Sequence, residues 1–374
     1  MNKVFIFISI AFFLLSIKSV YSESLSDKLD SICQSLDVNA LNAIVVKDTS
    51  IIFNYVYGKG VYCENNKVIY RNLKCNDLWR IASVSKNIIA SAILILRDRG
   101  QLDLDADINK YLSENIINPK YSDVPITVKM LLCHKSSIAK GQYVLESYKG
   151  IEFNSSKPGT KYEYSNVNYL LLAIIIESVT NERFDEFIQK NIFEPIGVVG
   201  YFNPFSCDSS RLVYGKWFDK KSDKLSFCDT YKWYSKKEIE NYQLMKSTMF
   251  QDPAGGCIIS SLDLAKYVMM HANNGLYKDT QILSVQAEKL MRHAGIDNGK
   301  YALGTINYSS LINGETLYGH TGYSLGIFSC IMYNPDKNYG FIILCDGAKI
   351  AYPIAYDLMH APLIRLLYES QILE

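Results

Sequence analysis

One stretch constrains the fold more than any other: LWRIASVSKNIIASAILILRDRG, Leu78 to Gly100. Its pattern predicts a helix from Ser83 to Arg99, ended by Gly100, with isoleucine, leucine and alanine on nearly every face. A helix that is apolar all round has no side to give to water, so it has to be central and buried. Yet this one opens on Ser83-Val84-Ser85-Lys86. Polar groups at the mouth of a buried helix either cap its unpaired N–H groups or do chemistry. The pattern by itself allows both.

Around that helix the chain alternates between two characters. Leu25 to Leu36 reads as an amphipathic helix. Leu41 to Val46 and Ile51 to Tyr57 read as strands, parted by the turn Lys47-Asp48-Thr49-Ser50. From about residue 104 to 250 the pattern is helical and rich in loops, with its clearest helical runs at Val128 to Leu132 and Tyr169 to Ser178. The second run stops at Glu177 and is too short for a membrane span. Strand signals return at Tyr301 to Tyr308, Leu325 to Tyr333 and Tyr339 to Cys345, followed by a final helix from about Tyr352 to Leu367. A sheet built from both chain ends with a helical middle inserted fits this order, which is an α+β arrangement. The expected division is a sheet domain of residues 23–103 and 255–374 and a helical insertion of residues 104–254. Residues 201–250 of the insertion form an aromatic-rich loop holding Tyr214, Trp217, Phe218, Trp233 and Tyr234.

Residues 1–22 stand apart. Lys3 precedes an almost unbroken apolar run, Val4 to Ile17, and the small residues Val20 and Ser22 suit cleavage before Glu23. This is the pattern of a signal peptide, so the expectation is a protein secreted or periplasmic after cleavage near Ser22, with no stable membrane span in the mature chain. With 39 Lys+Arg against 38 Asp+Glu there is no basic field for nucleic acid. Nine cysteines are present. Cys63 and Cys75 bracket one short segment and Cys207 and Cys228 another, and either pair can form a disulfide in an oxidising compartment. Cys257, Cys330 and Cys345 sit in apolar runs and read as small core residues. The five histidines show no metal-ligand spacing, so no metal and no cofactor is expected.

Three short patterns carry chemistry. Ser83-x-x-Lys86 places a hydroxyl and an amine one turn apart on one helix face, beside N–H groups that favour a developing negative charge. The pattern is cheap: Ser137-Ile138-Ala139-Lys140 repeats it. Tyr164-Ser165-Asn166 offers a phenol and an amide from one turn, but Tyr70-Arg71-Asn72 and Tyr201-Phe202-Asn203 match as well in a chain with 28 tyrosines. His320-Thr321-Gly322 occurs once and leads into an apolar strand, where a small hydroxyl and a glycine at a strand edge let a substrate backbone lie close.

In this order and context the three patterns resemble the serine β-lactamase and penicillin-binding-protein superfamily. The resemblance is to the branch of class C β-lactamases, D-alanyl-D-alanine carboxypeptidases and related esterases. RIASVSKNIIA, GQLDLDADINKYL, PITVKMLLCHKSS, KPGTKYEYSNVNYLLLAIIIE, DPAGGCIISSLDLAKYV and GHTGYSLG resemble family segments in family order and cover most of the mature chain. The resemblance implies a β-lactamase-like (DD-peptidase) fold, an antiparallel sheet flanked by helices. It implies Ser83 as nucleophile, Lys86 as its proton partner and Tyr164 as base. Asn166, His320, Thr321 and Gly322 would bind substrate, and the backbone N–H groups of Ser83 and Tyr323 would form the oxyanion hole.

Departures from the pattern bear on substrate. His320 stands where class C β-lactamases carry lysine, and a neutral imidazole holds a substrate carboxylate less firmly than an ammonium. Tyr323 stands where many relatives have glycine, and Ser137 where the family's LLTHTSG has its glycine. His134 lies outside the three patterns and reads as structural. The expected function is a secreted serine hydrolase working through an acyl-enzyme, either D,D-carboxypeptidase-like (or peptidase-like) or a β-lactamase. Its substrate would be a small molecule or peptide, peptidoglycan-like or a β-lactam. The alternatives are an esterase of the same fold and a catalytically idle scaffold or binding protein.

Overall fold

The computed structural model describes residues 24–140, 150–219, 221–222, 224–229, 236–245, 252–293, 300–349 and 356–373. Residues 1–22, expected to be a signal peptide, together with Trp233 and Tyr234, lie outside the described residues.

Helix α1 (Leu25–Ser35) begins at a capping box in which Ser24 and Asp27 satisfy each other's backbone N–H groups. Three strands follow as a meander, β1 (Ala40–Lys47), β2 (Ser50–Glu64) and β3 (Lys67–Asn72). Asp48, Asn65 and Asn66 supply the positive φ angles of its tight turns. A short strand β4 (Leu78–Arg80) and a single 3-10 turn, Ala82–Val84, lead into α2 (Ser85–Asp98). The middle of the chain holds α3 (Val128–Leu132), α4 (Asn166–Thr180) and α5 (Phe184–Ile188). It continues with the hairpin β5 (Gly215–Asp219) and β6 (Lys224–Cys228) and the short helix α6 (Lys236–Glu240). Strand β7 (Ile258–Ser260) runs straight into α7 (Ser261–Ala272), and α8 (Val285–His293) follows. The chain closes with β8 (Tyr318–Ser324), β9 (Ile327–Asn334), β10 (Tyr339–Asp346) and α9 (Ala361–Gln371).

The two ends of the chain make one antiparallel sheet. Its order is the two-residue strand Ile306–Asn307, then β8, β9, β10, β1, β2 and β3. The join lies between β10 and β1, paired from Ala40 with Asp346 to Lys47 with Tyr339. Strands β1, β9 and β10 are almost wholly buried because helices cover both faces of the sheet. Alternate residues of β1 serve the two faces, as a period of two requires. Leu41, Ala43 and Val45 pack with α1 and α9, whereas Ala40, Ile44 and Val46 join the core that holds α2, α4 and α7. A second, three-stranded sheet of β4, β7 and Gly200–Tyr201 ties the middle of the chain to the first and last parts. This is a β-lactamase-like α+β fold with helices and an antiparallel sheet.

Several local expectations need correction. The α-helix begins at Ser85, not Ser83, because Ser83 and Val84 belong to a 3-10 turn closed by Val84 N–H donating to Ile81 O at 3.2 Å. The Tyr301 to Tyr308 run shrinks to the strand Ile306–Asn307, and Tyr301 makes only a bridge to Ile306. His320-Thr321-Gly322 lies inside a strand of its own, β8, which leads into the apolar strand β9. The last α-helix begins at Ala361, after a π-turn over Tyr356–His360. No disulfide joins Cys63 to Cys75 or Cys207 to Cys228. The Cys207 thiol donates instead to Pro204 O at 3.1 Å within its own turn. Cys257, Cys330 and Cys345 are fully buried core residues. Among the described residues, no helix is long and apolar enough to cross a membrane.

Candidate active site

The site begins with the turn that delays α2. A positive φ at a residue with a Cβ costs about 1–3 kcal/mol, so the surroundings of Ala82 must hold it. They do so from both sides. Ile81 N–H donates to Cys257 O at 2.9 Å, and Ile81 O accepts from Ser329 Oγ at 2.6 Å. Ser85 Oγ donates to Ala82 O at 2.7 Å and accepts from Cys257 N–H at 3.1 Å. The two serines at the helix mouth therefore divide their tasks: Ser85 is a buried brace, and Ser83 is turned to the cleft.

Lys86 sits one turn on from Ser83, fully buried. Its Nζ donates to Ser83 Oγ at 3.0 Å and to Ala254 O at 2.6 Å. Burial pushes its pKa down to about 7, with the Asp252 carboxylate pulling the other way. Near neutral pH both protonation states of this amine are therefore accessible, and it can exchange a proton with a neighbour at little cost. Ala254 is presented by a loop in which Asp252 O accepts from Gly255 and Gly256 N–H, and Arg80 ties the loop down through Asp252 and Gly255 O. Sequence reasoning gave Arg80, Asp252 and Ala254 no role, although DPAGG was the legible signal.

Tyr164 O–H reaches Ser83 Oγ at 2.9 Å, while its ring lies 5.0 Å from Lys86 Nζ. The fold thus brings Ser83, Lys86 and Tyr164 together on one oxygen. Tyr164 owes its position to the start of α4. Ser165, the residue before the helix, donates through Oγ to Ala139 O at 2.7 Å. His134 Nδ1 accepts from Ser165 N–H at 3.2 Å and from the Asn168 amide at 3.0 Å, and its ring lies 4.3 Å from that of Tyr164. Burial, with Lys86 and His320 adding to it, holds the His134 pKa well below its ordinary value. A neutral ring accepting at Nδ1 is a backing for Tyr164, not a reacting group. Ser137, in the same loop, has φ +64°, at the position where the resemblance places glycine.

Strand β8 closes the other side. A Cβ on Gly322 would stand 2.3 Å from Ser329 Oγ, 2.6 Å from Ile81 O and 2.9 Å from Ser83 N, so only glycine lets the strand lie against the Ser83 turn. His320 is 2% exposed and has both ring nitrogens engaged: Tyr301 O–H donates to Nε2 at 2.9 Å, and Nδ1 donates to Thr321 O at 2.5 Å. Burial, with Lys86 adding to it, lowers its pKa to about 3. His320 is therefore neutral and committed within the protein. Tyr301, which fixes it, carried no signal in the sequence beyond being one tyrosine among many.

Between these walls lies a cleft of about 570 Å³. Ser83, Tyr164, Asn166, His320, Thr321, Gly322 and Tyr323 all line it, with Lys140 exposed on its wall. Beyond Gly319 the outer edge of β8 is not covered by Ile306–Asn307, which pairs with Tyr318 and Gly319 only. The arrangement can perform acyl transfer: a hydroxyl sharing its proton with an amine and a phenol, a helix start behind it, and an open strand edge alongside.

Three comparisons agree with this architecture. The chain is 25% identical over 328 residues to Protein flp of Staphylococcus aureus (strain MRSA252), covering 81% of this chain and 58% of that protein. The chain thus spans a little over half the length of that relative. It is 23% identical over 339 residues to "Putative D-alanyl-D-alanine carboxypeptidase" of Escherichia coli (strain K12), covering 78% and 76% of the two chains. The octameric penicillin-binding protein homologue from Pyrococcus abyssi superimposes with a TM-score of 0.69 at 25% identity, covering 91% of this chain and 76% of that one. The family model described as Beta-lactamase matches residues 30–366, and the chain therefore belongs to the beta-lactamase family.

Proposed function

We propose that this protein is a serine hydrolase that works through an acyl-enzyme on Ser83. The observation that carries the reading is the convergence of Lys86 Nζ and Tyr164 O–H on Ser83 Oγ, at 3.0 and 2.9 Å. Ser83 Oγ attacks a carbonyl carbon while its proton passes to the Lys86–Tyr164 pair. The backbone N–H groups of Ser83 and Tyr323 receive the charge that develops on the carbonyl oxygen. The pair then protonates the departing amine or alkoxide, and water, activated by the same pair, releases the acyl group from Ser83. Asn166 holds the substrate amide, and Thr321 with Gly322 guides its backbone along the β8 edge.

Peptide or amide substrates of the D,D-peptidase kind are the reading that the Escherichia coli relative's name supports, with a β-lactam as an alternative acyl donor. One observation favours a second reading. With His320 neutral and both its nitrogens occupied, the strand side offers no cation to a substrate carboxylate, which suits esters and neutral amides. An idle scaffold is disfavoured by the contacts retained at Ser83. The leader-like residues 1–22 support export, and we place the mature protein outside the cytoplasm.

The test is intact-mass spectrometry after brief exposure to benzylpenicillin, with Ser83→Ala alongside. A lasting adduct on the wild type alone supports a penicillin-binding peptidase. Drug consumed without a lasting adduct supports a β-lactamase. Neither outcome on penicillin, with ester turnover that Ser83→Ala abolishes, supports the esterase. No Ser83-dependent reaction with penicillin, ester or peptide sinks the acyl-enzyme reading.

A further inference from the structure

The β5–β6 hairpin is fixed to the active-site strand more tightly than an ordinary surface hairpin. A Cβ on Gly215 would stand 2.2 Å from Leu325 O, and one on Gly326 would stand 2.1 Å from Lys216 O. Two glycines thus let the hairpin main chain touch the turn joining β8 to β9. Lys216 adds a second anchorage, donating to Asn39 Oδ1 at 2.9 Å with its Nζ 4.6 Å from the centre of the Tyr70 ring. The next residue is Trp217. Its ring lies 6.2 Å from that of Tyr323, yet the residue is 44% exposed. Tyr323 in turn packs on Phe328 at 4.9 Å, and both line the cleft. A large, partly exposed ring on a firmly held support extends the aromatic wall of the cleft.

The direction of the reaction says which part of a substrate would meet this wall. The departing group must face the Lys86–Tyr164 pair that protonates it, and the carbonyl oxygen must face Tyr323 N–H. The group attached to the acyl carbon then points away from Tyr164, along β8 towards Tyr323. We propose that Trp217 and Tyr323 form an aromatic shelf that binds an aromatic or bulky apolar group on the acyl side of the substrate. This proposal rests on the acyl-enzyme reading of Ser83 and assigns Trp217 to specificity, not to the chemical steps.

The experiment compares p-nitrophenyl phenylacetate with p-nitrophenyl acetate, which share a leaving group and differ only in the acyl side chain. Trp217→Ala is expected to lose about tenfold in kcat/KM on the phenylacetate and to change little on the acetate, whereas Trp217→Phe keeps most of the preference. An equal fall on both esters would overturn the shelf and leave Trp217 a structural residue. If the wild type hydrolyses neither ester, the esterase reading fails instead; if Ser83→Ala is as active as the wild type, the acyl-enzyme reading fails. The shelf is then judged by binding alone, through saturation-transfer NMR of phenylacetamide on Ser83→Ala with and without Trp217→Ala. Ring signals lost with Trp217 support it; signals absent or unchanged overturn it.

Discussion

The chain carries the same four-residue pattern twice, and the two copies do different things. Ser83 and Lys86 lie across a 3-10 turn and the first residues of α2, where a spacing of three puts both side chains on one face and Nζ reaches Oγ at 3.0 Å. Ser137 and Lys140 lie in a loop whose backbone is bridged to Phe153 through Ile138. Ser137 Oγ faces inward and accepts from the Asn118 amide at 2.9 Å, while Lys140 is exposed on the cleft wall. In this loop, which is not helical and holds Ser137 at φ +64°, a spacing of three does not bring the two side chains to one face. The pattern therefore has chemical meaning only where the backbone coils, and burial then tunes the amine.

That contrast can be broken by exchange. Ser83→Ala is expected to cost at least about 10⁴-fold in turnover. Ser137→Ala should leave turnover nearly unchanged and cost about 1–3 kcal/mol of stability by orphaning the buried Asn118 amide. Steady-state kinetics and denaturant melts on both variants would measure this, and comparable kinetic losses would erase the distinction. Next in size, Gly322→Ala should push β8 off the Ser83 turn. The expected loss is about 100- to 1000-fold in kcat, similar to losing an oxyanion donor. Wild-type turnover would mean that the strand and turn need not touch.

The pH profile separates the two lysines more finely. Lys86 accepts the Ser83 proton only when neutral, and its pKa is lowered to about 7. Acylation should therefore fall about tenfold per unit below pH 7 and level off above it. A flat profile between pH 5 and pH 9, checked by stopped-flow acylation, would show that the Lys86 amine does not gate the step. Lys140→Met should spare kcat and raise KM by about fivefold at most, and only for substrates bearing a carboxylate, since exposed charges contribute little. A separate effect concerns stability. His320 has its pKa lowered from 6.5 to about 3, so the unfolded chain binds the proton more readily. Its contribution is fully present above about pH 6.5 and is lost as pH falls towards 3; melts of His320→Gln should show a shallower acid loss in that window.

Much of this was legible because it depends on periodicity. The apolar runs of β1, β9, β10, α2 and α4 announce burial on both faces or all round, and the order of the three patterns places them in a fold. The strained turn at Ala82 was not legible, because nothing local asks alanine for φ +46°. Only Ser329, Cys257 and Ser85, from three separate parts of the chain, hold it there. Likewise, His320 could be seen to lack the charge of lysine. That Tyr301 and Thr321 O occupy its two nitrogens follows from packing.

By itself, then, the sequence determined the layers, the central helix and the identities of the groups able to react, since these rest on hydrophobic spacing and on chemical type. The tertiary structure alone decided which serine faces the cleft, how far burial lowers the Lys86 pKa, and how the hairpin carrying Trp217 meets β8. Those properties belong to distances between residues far apart in the chain, and such distances are fixed only when the whole core closes.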